Sequence, residues 1–351
     1  MLKKINIHSK IKKYDVFFDK SLETIINKNY TRNDIILIDK IVFQSINNKK
    51  LFKKKKNIKI LVSENTKDYT YISKIISALL KINFTKKNKL IVIGGGITQD
   101  VSSFISHILF RGVEWIYIPT TLLSQADSCI GSKISINFEN YKNLIGNYNP
   151  PNKVYINTNF LKTLQKKDIL SGVGEMLHYF IISSKNDFIY FKENFDSLIN
   201  LNSNTVDDFI SKCLKIKKKY IEKDEFEKNI RIFLNYGHTI GHAIESYFNY
   251  KIPHGISVCH GISFVNYVSY KRKILSKNNF NEIKKITDVI TNDYKINNIN
   301  SNKLYKIILK DKKNINGIIR LILIQNLGKP ILKKIYKKET LINYLNEYFN
   351  K

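Results

Sequence analysis

Short apolar segments separated by helical segments constrain the fold of this chain more than any other feature. Runs such as Ile35–Asp39 are almost wholly apolar, as expected of parallel strands covered on both faces. Further strands are predicted at residues 5–7, 14–19, 57–62, 89–94, 115–119 and 153–157, and helices at 22–29, 69–82 and 101–109. We therefore predict that residues 1–157 form a Rossmann-like α/β domain that binds a nucleotide.

The periodicity becomes helical after residue 158. Helices are predicted at residues 168–182, 206–222, 232–247, 256–275 and 283–290, and residues 317–324 read as one late strand or buried run. Residues 158–351 are thus predicted to form an all-α C-terminal domain, and its histidines together with Glu175 predict that this domain binds a metal and the substrate. We expect the active site in the cleft between the two domains.

Three consecutive glycines follow the apolar segment Lys89–Ile93 and precede a helix. Glycines at a strand-to-helix turn allow backbone amides to approach a pyrophosphate at the positive helix end. The spacing is not G-x-G-x-x-G, so the ordinary dinucleotide fingerprint is absent. Asp39, at the end of another strand, is either a ribose-binding carboxylate or a turn residue.

Two histidines four residues apart, His238 and His242, share one face of a predicted helix. Gly237 and Gly241 leave room on that face for another backbone, a metal or a ligand. His254 and Glu175 are further ligand candidates, because imidazoles plus one carboxylate are usual ligands of a catalytic zinc. Histidines that only pack or hydrogen-bond are the alternative, which the additional candidates make less favoured.

The chain of 351 residues carries a formal charge of +30, which would ordinarily suggest nucleic acid. Its lysines are spread along the chain and accompany abundant Asn, Ile, Tyr and Phe, a pattern that AT-rich codons explain. We therefore expect no specific nucleic acid. Three cysteines without a C-x-x-C pair, and no apolar membrane span or signal peptide, predict a cytoplasmic protein that does not bind a membrane.

Several separated motifs, from Gly94–Asp100 through Pro119–Lys133 to Leu234–His242, together resemble the 3-dehydroquinate synthases. Lys142–Gly146, Gly174–Glu175, Asp224–Glu225, His254–Gly255 and Asp311–Lys313 extend the resemblance nearly end to end. These enzymes are sugar-phosphate cyclases of the shikimate pathway, which leads to aromatic amino acids and chorismate.

The resemblance implies a lyase that converts 3-deoxy-D-arabino-heptulosonate 7-phosphate to 3-dehydroquinate and phosphate. It implies NAD, a divalent metal (zinc, with cobalt as an alternative) and a homodimer. The implied route is transient oxidation of a substrate alcohol by NAD, phosphate elimination, return of the hydride, ring opening and intramolecular aldol closure.

Residue by residue, the resemblance implies the metal ligands Glu175, His238 and His254, and so removes His242 from the ligand set. His242 matches a residue that assists at the departing phosphate. Catalytic or substrate-contacting positions are Arg111, Asp127, Lys133, Asn143, His178, Lys217, Arg231, Asn235 and one of Lys312 or Lys313. Cofactor positions are Asp39, Glu64, Lys67, Gly95, Gly96, Asp100, Thr120, Thr121, Lys133 and Lys142. Arg111 is expected to reach the partner subunit's site.

Four residues depart from the family pattern. Gln99 replaces a small residue, Ser132 a glycine and Ile256 a glutamate, and all three are expected to alter either packing or the contacts that support site residues. His178 replaces a lysine and so concerns the chemistry. Either it acts as an imidazolium on the substrate, or Lys217 or Lys312 supplies the missing cation. In both cases we predict that His178→Lys raises the specificity constant, more at pH 8 than at pH 6.

The sequence leaves open two alternative enzyme functions and one alternative binding function. A metal- and NAD-dependent polyol dehydrogenase would share the two-domain plan without needing Lys133, Lys142 and Lys217, whose charges suit a phosphorylated keto acid. Another sugar-phosphate cyclase differs from the favoured function in few contacts. A basic nucleic-acid-binding protein predicts clustered lysines, which the sequence does not show.

Overall fold

The computed structural model of the chain describes residues 3–139, 141–309, 319–335 and 337–350. It divides into two compact units. The first comprises Met1–Leu164 and Lys217–Glu225, and the second Gln165–Ile216 and Phe226–Lys351. Among the described residues, none of the helices is long and apolar enough to cross a membrane.

A seven-stranded sheet forms the centre of the first unit. In chain order its strands are β1 (Lys4–His8), β2 (Lys13–Phe18), β3 (Ile35–Asp39), β4 (Asn57–Ile60), β5 (Leu90–Gly94), β6 (Trp115–Pro119) and, after an intervening hairpin, β9 (Lys153–Ile156). The spatial order is β1-β2-β9-β6-β5-β3-β4. The edge strand β1 pairs with β2 in the antiparallel direction. The other neighbouring pairs of this sheet, from β2–β9 to β3–β4, are parallel. The central strands are fully buried, which confirms the predicted parallel α/β domain.

Helices and a hairpin complete the first unit. The helices are α1 (Leu22–Asn29), α2 (Lys40–Ser45), α3 (Tyr69–Lys81) and α4 (Gly96–Ile108), and the hairpin consists of β7 (Lys133–Phe138) and β8 (Tyr141–Tyr148). α1 has the predicted bounds, with Ser21 accepting a hydrogen bond from the Thr24 amide as its N-cap. The predicted start of α4 at Val101 was wrong, because Gly95 is the N-cap and Gly96 already lies in the helix.

The second unit is helical. Its helices are α5 (Lys166–Ser183), α6 (Lys185–Glu193), α7 (Phe195–Ile199), α8 (Ser203–Lys223), α9 (His238–Tyr247), α10 (His254–Lys271), α11 (Lys277–Thr291), α12 (Ser301–Leu309) and α13 (Lys338–Phe349). The last residues of α8 belong to the first unit. The predicted late strand is β10 (Ile319–Asn326), which pairs with β11 (Lys329–Ile335). The helical domain thus includes one hairpin that the description all-α omits.

Gly237 divides the single helix that was predicted over residues 232–247. Its φ of 81° lies in the left-handed region, so the chain turns between a 3-10 helix at Ile230–Asn235 and α9. His238 therefore occupies the first position of α9, and His242 lies one turn further along.

Glycines allow α5, α9 and α10 to pack with their backbones in contact. A Cβ added to Gly255 would lie 1.8 Å from the Ser171 carbonyl oxygen of α5. A Cβ on Gly261 would lie 1.9 Å from the carbonyl oxygen of Gly237, and one on Gly241 2.9 Å from the Val258 Cα. Any larger residue would push these helices apart, so the glycines permit the spacing that the site below requires.

Candidate metal centre and nucleotide site

A buried carboxylate from α5 lies among imidazoles from α9 and α10. Glu175 Oε1 is 3.3 Å from His238 Nε2, and Glu175 Oε2 is 3.3 Å from His254 Nε2. One ligand atom from each of the three residues lies within 4.8 Å of the others. Each residue comes from a different helix, and the glycine contacts of these helices set the distances between them.

The geometry and the donor types fit a divalent metal. Two nitrogen or oxygen ligands bound tetrahedrally to zinc at ~2.0–2.2 Å lie ~3.3–3.6 Å apart, close to both observed separations. Two imidazoles and one carboxylate also match the three-ligand sets of catalytic zinc sites, which leave a fourth position for water or substrate. Glu175, His238 and His254 are therefore the residues that would hold the ion.

Electrostatics keep the Glu175 carboxylate ionised. Burial by itself raises the pKa of Glu175, but the charge and hydrogen bond of His238, the hydrogen bond of His254 and the charge of His178 outweigh it, so the pKa lies well below its usual value. For His254 burial acts in the opposite direction and by itself lowers the pKa. The carboxylates of Glu245 and Glu175 outweigh burial and raise the pKa of His254 well above the ordinary value. An ionised carboxylate is the form that binds a metal.

His178 lies beside this cluster on α5. Its side chain is almost fully buried, with Nδ1 3.7 Å from Glu175 Oε1. The ring packs edge-on against that of His238, with centroids 5.2 Å apart. The prediction that residue 178 shares a face with Glu175 and points toward the metal residues is consistent with these contacts.

His242 is close to the same group but is not part of the Glu175 set. The centroid of its ring lies 5.5 Å from that of His238 and 5.6 Å from that of His254. His242, Glu245 and His254 form a second group whose ligand atoms lie within 4.8 Å of one another. Glu245 was not among the candidates predicted from the sequence, although its position seven residues after His238 places it on the same helix face.

Two further candidates of the second unit lie between α8 and α9. Arg231 is buried, and the Asn235 amide donates hydrogen bonds to the Glu227 carboxylate and to the Ile232 carbonyl oxygen. The remaining candidates of this half, Lys312 and Lys313, lie outside the described residues.

The predicted glycine turn lies in the first unit, at the carboxyl end of β5. Strand order reverses between β5 and β3, because the chain continues from β3 to β4 on one side and from β5 to β6 on the other. Ligands of open α/β sheets bind at the carboxyl ends of strands flanking such a switch point. Gly95 and Gly96 lie there at the N-terminus of α4, and Asp39 ends β3 beside them.

Side-chain contacts explain the small residues of this turn. A Cβ on Gly94 would meet Thr98 Oγ1 at 2.4 Å, and one on Gly95 would meet Thr121 Cγ2 at 3.1 Å. Thr120 is buried, and its amide donates to the Gly94 carbonyl oxygen.

Asp39 caps α2. Its Oδ1 accepts hydrogen bonds from the Ile41 and Val42 amides, and its Oδ2 lies 3.4 Å from Thr98 Oγ1. The structure thus shows the local turn role that the sequence left as one of two alternatives.

The other nucleotide candidates belong to a network that reaches the β7–β8 hairpin. Lys67 is buried, pairs with Asp100 and donates to Asn143 Oδ1 at 2.7 Å. Burial raises the pKa of Asp100 even though Lys67 opposes that effect. Lys142 Nζ lies 3.6 Å from Glu64 Oε1.

Asn137, which was not among the candidates predicted from the sequence, connects the two parts of this network. Its amide nitrogen donates to the carbonyl oxygen (2.9 Å) and Oε1 (3.1 Å) of Glu64, and its Oδ1 accepts from the Asn143 amide at 2.9 Å.

Lys217, Asp127 and Lys133 are further candidates of the first unit. Lys217 is buried and donates to the carbonyl oxygen of Asp127 at 2.8 Å and to its Oδ1 at 2.7 Å. Lys133 begins β7 and is exposed. The pairing fixes the Lys217 ammonium group near a residue of the same predicted site.

The departures from the family pattern have visible consequences. Gln99 donates to the Ser128 carbonyl oxygen and accepts from Ser128 Oγ, so it joins α4 to the turn that carries Asp127. Ser132 has a φ of 66°, and its hydroxyl donates to the buried Glu225 carboxylate at 2.7 Å. Ile256 is fully buried.

Comparisons with solved structures first show which proteins share the fold. The chain has the fold of 2-deoxy-scyllo-inosose synthase in a structure with carbaglucose-6-phosphate, NAD+ and Co2+ (TM-score 0.86, 20% identity, 98% of this chain and 99% of that chain). It also matches 2-epi-5-epi-valiolone synthase from Streptomyces hygroscopicus with NAD+ and Zn2+ bound (TM-score 0.86, 18% identity, 95% and 96% covered). A probable glycerol dehydrogenase from Sinorhizobium meliloti is less similar (TM-score 0.64, 10% identity, 93% and 92% covered). The chain therefore shares its fold with these two synthases and, less closely, with the dehydrogenase.

Sequence comparison then identifies the family. Family models described as 3-dehydroquinate synthase N-terminal and C-terminal match residues 57–171 and 172–314. The 3-dehydroquinate synthase of Pelagibacter ubique is 34% identical over 99% of both chains, and that of Clostridium botulinum is 33% identical over 95% of this chain and 98% of its own. The chain belongs to the 3-dehydroquinate synthase family.

Proposed function

We propose that the chain catalyses the 3-dehydroquinate synthase reaction, which converts 3-deoxy-D-arabino-heptulosonate 7-phosphate to 3-dehydroquinate and phosphate. The observation that carries this proposal is the Glu175–His238–His254 cluster in a chain of this family. When bound, NAD would accept and return a hydride, and a divalent metal, zinc or cobalt, would polarise substrate oxygens. Glu175, His238 and His254 are the proposed metal ligands.

The first unit contributes the proposed cofactor residues. Gly95 and Gly96 present the amino end of α4 to the pyrophosphate, and Thr121 packs against Gly95. The other proposed cofactor residues are Asp39, Glu64, Lys67, Asp100, Thr120, Lys133 and Lys142. Because Asn137 links Glu64 to Asn143, and Lys67 donates to Asn143, two of the cofactor residues share a hydrogen-bonded network with a proposed substrate residue.

Cations and amides of the chain bind and orient the substrate in this proposal. Lys217, fixed by Asp127, and the buried Arg231 supply positive charge for the carboxylate and phosphate. Asn143 and Asn235 supply amide groups, and His242 takes or gives a proton at the leaving phosphate. Lys133, Lys312, Lys313 and His178 complete the proposed substrate residues.

A homodimer belongs to the same proposal. Arg111 is exposed and has a φ of 61°, and the preceding Phe110 has a φ of 52°. Phe110 and Ile108 are each 37% exposed, so apolar surface lies beside the arginine that is proposed to reach the partner. Two successive non-glycine residues in the left-handed region cost ~1–3 kcal/mol each, which agrees with a functional constraint on this segment.

We further propose the domain boundaries 1–157 and 158–351 and a cytoplasmic location. Cys129, Cys213 and Cys259 are buried and form no disulfide within the described part of the chain, in agreement with a reducing compartment.

The test is incubation of the purified protein with 3-deoxy-D-arabino-heptulosonate 7-phosphate, NAD and zinc. We expect stoichiometric phosphate release without net accumulation of NADH. Glu175→Gln should abolish release, whereas Glu193→Gln, on the exposed surface of α6, should not change it. Absence of phosphate with a folded, metal-loaded protein would refute the proposal, and steady NADH formation from a polyol would favour a dehydrogenase.

A further inference from the structure

Glu245 lies near the C-terminal end of α9, two turns after His238 and on the same face of the helix. Its side chain is only 8% exposed, and its Oε2 lies 3.0 Å from His254 Nδ1. The ring of His254 therefore lies between two carboxylates. Glu245 contacts its Nδ1, and Glu175, the proposed metal ligand, contacts its Nε2.

The chemistry of the two ring nitrogens assigns different roles to the two carboxylates. An ionised carboxylate only accepts hydrogen bonds, so the contact with Glu245 requires a hydrogen on Nδ1 of His254. In a neutral imidazole the other nitrogen then carries the lone pair. That nitrogen is Nε2, which faces Glu175 at 3.3 Å.

The alternative is that Glu245 binds a second cation together with His242 and His254, whose ligand atoms also lie within 4.8 Å of one another. That arrangement would make Nδ1 of His254 a ligand while Nε2 serves the Glu175 set, so the ring would lose both protons. In addition, the 3.0 Å separation between Nδ1 and Oε2 is a hydrogen-bond length, shorter than the ~3.3 Å between two tetrahedral zinc ligands. A single hydrogen on Nδ1 accounts for the contact with Glu245 and leaves the Nε2 lone pair facing Glu175.

We propose that Glu245 is a positioning residue of the metal centre, which accepts the Nδ1 hydrogen of His254 and so directs the Nε2 lone pair at the metal bound by Glu175 and His238. This inference rests on the proposed function, because it requires a metal at that cluster. A carboxylate or carbonyl that accepts the second N–H of a metal-binding histidine fixes its tautomer and ring orientation.

The test compares the zinc affinity of the wild-type chain with that of Glu245→Ala and Glu245→Gln, by competition with a chromophoric chelator at pH 7.5. We expect a 10–100-fold loss of affinity for Glu245→Ala. Glu245→Gln should lose several-fold less, because the amide oxygen still accepts from Nδ1. Glu193→Ala, an exposed glutamate of α6, is the matched control and should bind zinc like the wild type.

A second readout separates positioning from simple destabilisation of α9. In 15N-labelled protein loaded with zinc, the hydrogen on Nδ1 of His254 should exchange slowly with solvent in the wild type and in Glu245→Gln, where it is hydrogen-bonded, and rapidly in Glu245→Ala. Unchanged zinc affinity or unchanged exchange of the Nδ1 hydrogen in Glu245→Ala would overturn the proposal, as would two zinc ions per chain with one lost in that variant. Failure of the wild-type chain to bind zinc would instead refute the proposed metal centre itself.

Discussion

Gly255→Ala offers a sharp test of how helix packing builds the metal centre. The residue directly follows His254 in α10, and an added Cβ would lie 1.8 Å from the Ser171 carbonyl oxygen and 3.1 Å from the Glu175 amide nitrogen of α5. Real Cβ atoms essentially never approach closer than 3.0 Å, so the two backbones must separate by at least about 1.2 Å. This movement would separate His254 from Glu175.

The magnitude follows from two opposing effects. Overpacking lowers the free energy of unfolding by ~1–3 kcal/mol. We expect the upper end of this range, because the added Cβ clashes with backbone atoms and no change of rotamer can relieve the clash. Alanine regains at most about 1 kcal/mol of helix propensity relative to glycine. We expect a net loss of ~2 kcal/mol in the free energy of unfolding, or a fall of ~4–8 °C in the melting temperature of a unit of about 180 residues.

Zinc affinity should fall at least tenfold as well, since a displacement of 1 Å exceeds the ~0.5 Å tolerance of a functional site. The assays are thermal unfolding of the metal-free protein and chelator competition with zinc. Gly96→Ala is the control, because a Cβ there would meet only Ser128 Oγ, at 3.8 Å. A Gly255→Ala protein that melts and binds zinc like the wild type would contradict the packing argument.

Three further predictions concern stability and the substrate. His260 is buried, and its ring donates from Nε2 to the Tyr294 carbonyl oxygen at 2.9 Å. Burial, which outweighs that hydrogen bond, lowers its pKa from 6.5 to about 4, so the unfolded chain binds the extra proton first as the pH falls. Stability should therefore decrease by ~3 kcal/mol between pH 6.5 and 4, and urea unfolding should show a smaller decrease for His260→Gln. Ser132→Ala should cost ~2 kcal/mol by losing the hydrogen bond to Glu225, and Ser132→Gly ~1 kcal/mol less because glycine relieves the left-handed backbone. An equal loss in both would show that backbone strain is not involved. His178→Lys should raise kcat/KM for the anionic substrate, more at pH 8 than at pH 6, and equal constants across that range would mean that residue 178 does not act on the substrate.

The first half of the fold was predictable because its strands are buried on both faces. Burial of β3, β5 and β6 requires continuous apolar runs, and such runs stand out in the sequence. The start of α4 was not predictable from propensity. Glycine has a low helix propensity, yet Gly95 is the N-cap and Gly96 the first residue of this helix. For the same reason Gly237 concealed the break before α9, because a glycine inside a helical pattern does not reveal a positive φ.

Candidate residues of the site were also predictable by type and motif, whereas their contacts were not. The sequence by itself supplied two histidines at helical spacing, a glycine turn after a strand and the family resemblance that selected Glu175, His238 and His254. Only the tertiary structure decided that Glu245 lies against His254, that Asn137 joins Glu64 to Asn143, and that Ser132 donates to Glu225. The physical reason is that these contacts join residues from different elements, and their distances depend on helix and strand packing that no local pattern encodes.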